Sequence, residues 1–410
     1  MSQSYPEASP RTILASASVE AKSAASDCNG VTTNEISIRQ VQSRADRKAF
    51  VDLEYRLNAS DPHWIAPLKD ERHGLISPRR NPWFEHAEAA LFLAERDGTP
   101  VGRISAQVDR LVLEKMGSGT GQWGMFEAQD QQVADTLIAR AEQWLRERGM
   151  TRSLGPFSLS IWDQPGLLIK GFDHSPTVEM GHNSPTYPGW IEAAGYTKAK
   201  DLLTYDLDIV RPMPPIVERI VESGDRNPRI RIRNVDKSRF QEEAALILHI
   251  LNDAWSDNWG FIPLTDSEIA YAGKKLKPII YEDIVKIAEV DGEPVAFMLT
   301  FPDINEHIRD LNGYLFPFGW AKLLWRLRRA RFKTMRVALM GVVKELQATR
   351  LASQLALMLV EYSRRPAPAK YGCTRAEIGW ILEDNGGMVS IAKAIDSEIN
   401  RIYRIYEKAL

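Results

Sequence analysis

Two segments in the first half of the chain concentrate side chains that can transfer protons. LSIWDQPGLL spans residues 159–168 and MGHNSPTYPGW spans 180–190, and both are rich in polar and turn-forming residues. We expect their polar side chains to face a substrate cleft: Asp163, His182, Asn183 and Tyr187. His182 is a candidate general base because an unperturbed imidazole has a pKa of ~6.5. A lone histidine in a loop rich in proline and glycine is more often structural, so both interpretations stay open.

A third segment, residues 311–336, combines aromatic and basic side chains. No acidic residue occurs between Asp310 and Glu345. Trp, Phe and Leu beside clustered Lys and Arg are typical of a helix that lies at a membrane surface, where each basic residue adds ~1 kcal/mol near anionic lipid. The segment therefore predicts peripheral contact with a membrane or a lipid substrate. The alternative is a helix that packs its aromatic face on the protein.

Bulk composition narrows the function classes. The 410 residues carry a formal charge of −2, and no nucleic-acid-binding motif is present, so nucleic acid is not an expected partner. Cys28 and Cys373 form neither a metal-ligand spacing nor a disulfide framework, which favours a reducing, cytoplasmic location. The sequence contains no cluster of carboxylates of the kind that binds a metal ion, so no bound metal is expected. Residues 1–34 are predicted to be a disordered tail, with a transit-type peptide as the alternative.

A long repeat predicts how the elements around these residues are organised. FLAERDGTPV at 92–101 and KIAEVDGEPV at 286–295 share six identical positions, and ISIRQV at 36–41 matches IRIRNV at 230–235 with the same offset. A period this long exceeds that of solenoid repeats and indicates two similar domains in tandem. The predicted division is 35–210 for the first domain, 211–228 for a proline-rich linker and 229–410 for the second domain, which carries the 311–336 insertion.

Each half shows the same order of elements: strand, helix, hairpin, strand, helix, strand. Alternating isoleucines begin each half, and the Asp-Gly pairs at 97–98 and 291–292 predict hairpin turns. Further predictions are helices at 43–57, 131–148, 238–253 and 350–364 and a strand at 376–383. The order predicts an α/β fold in which mixed, mostly antiparallel sheets are flanked by helices.

This order of elements resembles the GNAT superfamily of acyl-CoA-dependent N-acyltransferases, here as two tandem copies over residues 35–410. The phrases NDAWSDNWGF, EIGWILEDN, YRIYEK and GPFSLSIWDQPGLL resemble a two-copy bacterial branch that includes bacterial ceramide synthases, which join a fatty acyl group to a sphingoid base. The resemblance implies acyl-CoA as co-substrate and a lipid-like amine as acceptor.

The superfamily binds the CoA pyrophosphate at a strand-to-helix loop of pattern Gln/Arg-x-x-Gly-x-Gly/Ala, where free N–H groups of a helix N-terminus face the anion. Gln347 and Ala352 match its first and last positions, and Arg350 replaces the central glycine. An arginine removes backbone freedom but offers bidentate contact with phosphate. The resemblance therefore places the acyl-CoA site at Val342, Val343, Lys344, Gln347, Arg350 and Ala352. The equivalent stretch FEAQDQQVADTLI lacks such glycines, so the first copy is predicted to be a non-catalytic scaffold and substrate wall.

The resemblance also implies residues for the chemistry. It favours Asn385 after a strand, with Tyr403 or Tyr406 as the acid that protonates the leaving thiolate, since a tyrosine hydroxyl has a pKa of ~10. Glu383 is a candidate base, although it equally suits the cap of the next helix. Asn258 and Trp259 resemble a segment that lines the acceptor side. Two other functions stay open: a non-catalytic acyl-CoA-binding or regulatory protein, and a nucleotide (dATP-type) pyrophosphohydrolase.

Overall fold

One sheet of thirteen strands forms the centre of the computed structural model, which describes residues 35–410. The predicted tail 1–34 lies outside the described residues. The strands are β1 (Ile36–Gln40), β2 (Ala87–Arg96), β3 (Thr99–Asp109), β4 (Thr120–Ala128), β5 (Arg152–Gly155), β6 (Leu167–Lys170), β7 (Thr197–Asp208), β8 (Ile230–Asn234), β9 (Lys286–Val290), β10 (Glu293–Pro302), β11 (Thr334–Val342), β12 (Arg375–Leu382) and β13 (Glu398–Ala409).

Helices cover both faces of this sheet, as the α/β prediction requires. They are α1 (Arg44–Leu57), α2 (Lys69–Leu75), α3 (Arg110–Met116), α4 (Gln131–Arg146), α5 (Tyr187–Ala193), α6 (Pro215–Asp225), α7 (Phe240–Trp255), α8 (Asp266–Leu276), α9 (Asn305–Ile308), α10 (Gly319–Arg329), α11 (Arg350–Arg364), α12 (Ala367–Tyr371) and α13 (Gly386–Ala394).

The repeated local signals correspond to the elements predicted from them. Ser43 begins α1 with a capping box, in which its hydroxyl accepts from the Asp46 N–H. Both Asp-Gly pairs occupy the left-handed conformation that a two-residue hairpin turn needs, with φ of 50° and 72° at 97–98 and 54° and 87° at 291–292. The predicted helices at 43–57, 131–148, 238–253 and 350–364 correspond to α1, α4, α7 and α11.

The two halves exchange their last strands. The order across the sheet is β1-β2-β3-β4-β5-β13-β7-β12-β11-β10-β9-β8, with β6 paired to β13 beside this path. Strand β13 of the second half therefore pairs with β5 of the first, and β7 of the first half pairs with β12 of the second. Because the exchange makes the sheet continuous, side chains from both halves meet at its centre.

The segment 211–228, expected to be a linker, is mostly helix α6. Val217 and Val221 are buried in the same apolar cluster as Leu355 and Met358 of α11. The apolar residues of α6 recur at helical spacing, so this connection packs on the second half. The prolines that suggested a linker therefore lie only toward the ends of this segment.

Candidate active site

Strands β11 and β12 separate part-way along their length and leave a groove between them. They pair in parallel over four residues, from Thr334 opposite Arg375 to Val337 opposite Ile378. Beyond this point β11 continues to pair only with β10. The groove has a volume of about 40 Å³ and is lined by Trp255, Asn258, Val337, Ala338, Met340, Ile378, Gly379, Trp380, Ile381, Leu382, Asn385 and Met388. Such a mostly apolar slot suits a thin, extended ligand.

Tryptophans hold one side of the groove. The Trp255 indole N–H donates to the Met340 carbonyl at 3.0 Å, which ties the end of α7 to β11. Trp255 also stacks on Trp162 of the first half, with ring centroids 6.1 Å apart, and contacts Trp380 at 6.0 Å. The first half therefore contacts the groove wall from outside, through Trp162. Trp162 and Trp380 were not predicted as site residues, because only the fold brings them together.

The loop from β11 to α11 lies beyond the end of the groove. Thr349 caps α11 by accepting from the Ala352 N–H at 3.3 Å. Gln347 donates to the carbonyls of Val342 and Ala254, both at 2.9 Å, so it fixes the loop. Arg350 is exposed at the first position of the helix. The helix N-terminus and this guanidinium together form a positively charged, accessible site.

Three other residues predicted to contact acyl-CoA in this loop already form hydrogen bonds within the protein. The Val343 N–H donates to the Val295 carbonyl at 2.8 Å, which continues the ladder with β10. The Lys344 N–H donates to Asp253 at 2.6 Å, and its ammonium pairs with Asp257. The Val342 carbonyl is an acceptor for Gln347. The predicted acyl-CoA contacts are thus brought into one loop, with the accessible positive charge concentrated at Arg350.

The predicted chemical residues of the second half do not all meet at the groove. Asn385 lines it, and its side-chain oxygen accepts from the Met388 N–H at 3.1 Å as the cap of α13. Glu383 lies beside it in sequence but pairs with Lys198 at 2.6 Å and accepts from the Asp201 N–H. The Glu383 carboxylate is therefore bound by β7, and only Asn385 lines the groove.

The two tyrosines of β13 have different surroundings. The Tyr403 hydroxyl donates to the Gly181 carbonyl at 2.9 Å, and burial raises its pKa to about 12. Its ring packs with Leu382 of the groove wall. Tyr406 lies opposite Gly155 in the first half and donates to Glu192 at 3.1 Å, and burial raises its pKa as well. Strand exchange explains the separation, because β13 extends from the second half into the first.

A second and larger cavity, of about 290 Å³, lies between the halves. It begins where β4 and β5 separate, after three paired residues that end at Gln122 opposite Leu154. Its polar lining comes mostly from the first half: Glu54, Glu71, Arg72, Arg103, Glu127, Ser158, Asp163, Gln164, Glu179, His182, Asn183 and Lys275. Three of the four polar residues predicted from the first-half loops, Asp163, His182 and Asn183, therefore line one cavity.

Asp163 directly follows Trp162, whose ring stacks on Trp255 of the groove wall. Burial raises its pKa to about 6, while the Ser160 hydroxyl, which donates to it at 2.9 Å, opposes the shift. Trp162 lines both this cavity and a small pocket that it shares with Trp255 and Trp380 of the groove. The Asp163 carboxylate thus lies beside the tryptophan that separates the cavity from the small pocket.

The other first-half residues are more constrained. Burial lowers the pKa of His182, which keeps the imidazole neutral; Nε2 lies 3.0 Å from Asp61, and Nδ1 is buried without a hydrogen-bond partner within residues 35–410. The Asn183 amide bonds to the backbone of Leu168 and Ser184. The Tyr187 hydroxyl donates to Glu127 at 2.8 Å, and burial raises the pKa of that carboxyl to about 7. Tyr187 thus reaches the cavity only through Glu127.

The predicted acceptor residues of the second half lie between the two spaces. Asn258 lines the groove and the small pocket, and Trp259 lines the pocket. The charged cavity residues Arg72, Glu71 and Glu127 escaped prediction, because they lie on separate elements without a shared motif. Among residues 35–410, no three His, Cys, Asp or Glu side chains come close enough together to hold a metal ion.

The 311–336 segment exposes its aromatic residues. Phe316 and Phe318 are 82% and 79% exposed, and α10 has no buried residue. Further exposed apolar side chains are Tyr314, Trp320, Leu324 and Trp325. Four basic residues of the same segment are exposed and form no ion pair within the described residues: Arg328, Arg329, Arg331 and Lys333. In the described part of the chain, no helix is long and apolar enough to cross a membrane.

Comparison with known proteins establishes the family. No family model matches the chain. The bacterial ceramide synthase of Caulobacter vibrioides is 44% identical over 382 residues, which are 92% of this chain and 99% of that protein. The chain belongs to the bacterial ceramide synthase family. Protein YghO of Escherichia coli is 41% identical over 384 residues, 92% of this chain and 97% of that protein.

A solved structure confirms the fold independently. A tandem GNAT protein from the clavulanic acid biosynthesis pathway superimposes with a TM-score of 0.54 at 13% identity, covering 92% of this chain and 98% of its own. The predicted family, the tandem GNAT-like α/β fold and the assignment to the acyltransferases are therefore confirmed. The individual site residues and the domain boundaries stay predictions.

Proposed function

We propose that this protein transfers an acyl group from acyl-CoA to the primary amine of a lipid-like acceptor, in its narrowest form a sphingoid base. One observation carries the proposal: a small pocket shares Trp255 and Trp380 with the groove beside a positively charged helix N-terminus, and shares Trp162 with a cavity that contains a buried carboxylate. The first space suits an acyl thioester and the second suits a cationic amine. The name of the Caulobacter relative, ceramide synthase, supports the same pairing of substrates.

The donor side uses the β11–α11 loop. The first N–H groups of a helix have no intrahelical acceptor, and the positive end of the helix dipole favours an anion. Arg350 stands at this end with a guanidinium that can bind phosphate in a bidentate manner. The CoA pyrophosphate binds here, and Gln347 and Thr349 keep the loop in place. The thioester arm then extends into the groove between β11 and β12.

The acceptor side uses the large cavity. An alkylammonium ion entering it pairs with Asp163, whose pKa of about 6 keeps the carboxylate ionised at neutral pH. Asp163 first accepts a proton from the ammonium ion, which frees the nitrogen lone pair. The neutral amine then attacks the thioester carbonyl and forms the C–N bond. As the C–S bond breaks, the nitrogen gives its second proton to the departing sulfur, so that CoA leaves as the thiol. Trp162 and Trp255 exclude water from this junction, which disfavours hydrolysis of the thioester.

The exposed aromatic segment supports a peripheral location at an anionic membrane surface. Large aromatic side chains inserted among headgroups gain apolar burial, and neighbouring arginines gain attraction to anionic lipid. The apolar burial would come from four exposed aromatic residues: Phe316, Phe318, Trp320 and Trp325. The attraction to anionic lipid would come from Arg328, Arg329, Arg331 and Lys333. We propose that this surface brings the enzyme to the inner face of the cytoplasmic membrane, where lipid-like amines reside.

Purified full-length protein tests the proposal directly. Long-chain acyl-CoA and a long-chain amino alcohol are mixed with the enzyme, and thiol release and N-acyl product are followed by absorbance and mass spectrometry. We expect stoichiometric formation of free CoA and the amide. Lipid extracts from cells lacking the protein are expected to lose N-acylated long-chain bases and to accumulate the free base. Acyl-CoA binding without amide formation from any amine would contradict the proposal.

A further inference from the structure

The large cavity has an apolar wall that the chemistry at Asp163 does not use. Four side chains that line it belong to one cluster with residues 311–323: Ile65, Leu68, Ile304 and Ile308. Leu311, Leu315 and Leu323 pack on the other side of the same cluster. This single apolar layer therefore has the cavity on one side and the aromatic segment on the other.

Specific contacts fix the segment against the first half at this place. The Lys69 N–H donates to the Gly313 carbonyl at 2.9 Å, and its ammonium donates to the Tyr314 hydroxyl at 2.7 Å. Arg309 donates to the Pro62 carbonyl at 3.3 Å. Gly313 has φ of 82°, and an added Cβ would meet Tyr55 and the Pro67 carbonyl within 3 Å. The boundary between residues 62–69 and 309–314 is therefore built with defined geometry.

The polar and apolar surfaces of the cavity together favour one class of ligand. Polar side chains such as Asp163, Arg72 and His182 can satisfy a head group that carries an amine and hydroxyls. An apolar wall facing an open cavity is costly when hydrated and gains free energy when hydrocarbon covers it. A short polar amine would leave this wall uncovered, whereas a single-chain amphiphile matches both surfaces.

We propose that the acceptor's hydrocarbon chain lies against the cavity face of Ile65, Leu68 and Ile308, in the apolar layer that residues 311–323 pack on from outside. The proposal deepens the proposed function and rests on it. It assigns the apolar cluster as the determinant of chain-length preference. In this orientation the amine reaches Asp163 while the chain extends along this wall of the cavity.

Kinetics with two amines test the assignment. Ile308→Trp adds bulk to the apolar wall, and Ile216→Trp, on exposed α6, is the matched control. With a long-chain amino alcohol we expect Ile308→Trp to raise KM about tenfold or more. With a short, water-soluble analogue of the same head group we expect a change below about twofold. Equal changes for both amines, or none for either, would overturn the chain assignment.

Photolabelling of the unmodified protein keeps the test independent of the variant's folding. The probe is a long-chain amino alcohol with a diazirine at the end of its chain, and the labelled peptides are identified by mass spectrometry. We expect label within residues 62–76 and 304–323. Label confined to other peptides would overturn the proposal. If the expected peptides are labelled but the protein acylates neither amine, the proposed function is wrong, whereas the chain-binding surface is supported.

Discussion

The two halves build the same strand-to-helix junction in opposite ways. In the first half β4 ends at Ala128 and α4 begins at Gln131, and Asp130 caps the helix by accepting from the Val133 N–H at 3.0 Å. In the second half β11 ends at Val342 and α11 begins at Arg350, with a neutral Thr349 as cap. One helix N-terminus therefore has a carboxylate as its cap, whereas the other has an uncharged hydroxyl.

The gaps between separated strands also differ between the two halves. Both halves separate the strands that lead to these junctions, β4 from β5 and β11 from β12. In the second half the gap is a narrow apolar groove, and in the first it opens into a polar cavity of about 290 Å³. The proposed function assigns the groove of the second half to the acyl donor and the wider cavity of the first half to the acceptor. Substitutions in each half test this division separately.

Asp163→Asn carries the largest expected effect, because it removes the proton acceptor without changing the side chain's size. We expect kcat/KM for the amine to fall about 10²–10³-fold, the usual range for loss of a general base. The affinity for acyl-CoA should stay the same. Asp173→Asn is the control, since that carboxylate is exposed in the same half. A loss of acyl-CoA affinity in Asp163→Asn would show that the halves do not divide the substrates.

The pH profile provides a second measurement of the same residue. Burial raises the pKa of Asp163 to about 6, and the group is active as the carboxylate. Activity is therefore present above this pKa and should fall tenfold per pH unit as the pH drops below about 6. Asp163→Asn should lose this acidic limb. An unchanged acidic limb in the variant would assign it to another group, such as Glu127, whose pKa is raised to about 7.

Arg350→Glu tests the proposed donor site in the second half. A reversed charge at the start of α11 loses a charge-assisted contact and adds repulsion, so we expect the Kd for acyl-CoA to rise about 100-fold. Arg350→Lys, which keeps the charge but not the bidentate geometry, should have an intermediate effect. Arg226→Glu, at the end of α6, is the control for net charge. Calorimetric titration with a non-hydrolysable acyl-CoA analogue gives the values, and wild-type affinity in Arg350→Glu would contradict the donor site.

The proposed membrane surface, residues 311–336, belongs to the second half alone. Phe316→Ala with Phe318→Ala removes its two most exposed aromatic rings. We expect binding to anionic vesicles to weaken about tenfold, because part of the apolar burial at the interface is lost. Val210→Ala, an exposed residue near the centre of the chain, is the control. Sedimentation with vesicles measures the effect, and unchanged partitioning would leave the surface to another partner.

Local signals predicted the fold well, and long-range pairing explains what they missed. Asp97-Gly98, Asp291-Gly292 and Ser43 each act within a few residues, so their turns and caps could be predicted. The exchange of β7 and β13 depends on pairings more than 150 residues apart, as between Asp208 and Arg375. For this reason Tyr406, one of the two candidate acids, packs against residues of the first half. Asp163 and His182 were predicted from local polarity, whereas Arg72 and Trp162 gained meaning only from the assembled cavity.

Asp130→Asn is the smallest expected effect and tests why the first half would bind no acyl-CoA. Asparagine still caps a helix, so the loss is confined to the Arg96 ion pair and is expected to stay below about 1 kcal/mol. Burial opposes ionisation of Asp130, but the hydrogen bonds from Arg96 and the Val133 N–H win and lower its pKa. Its stabilisation is thus present above the unfolded pKa and disappears as pH falls through the folded one.

The stoichiometry of acyl-CoA binding decides whether this carboxylate is what closes the first junction. We expect one molecule per chain for both wild type and Asp130→Asn, because the two-residue turn before α4 leaves no loop in which a pyrophosphate can lie. A second equivalent bound by the variant would show that charge alone separates the two halves. The shorter loop would then be a consequence of the lost site and not its cause.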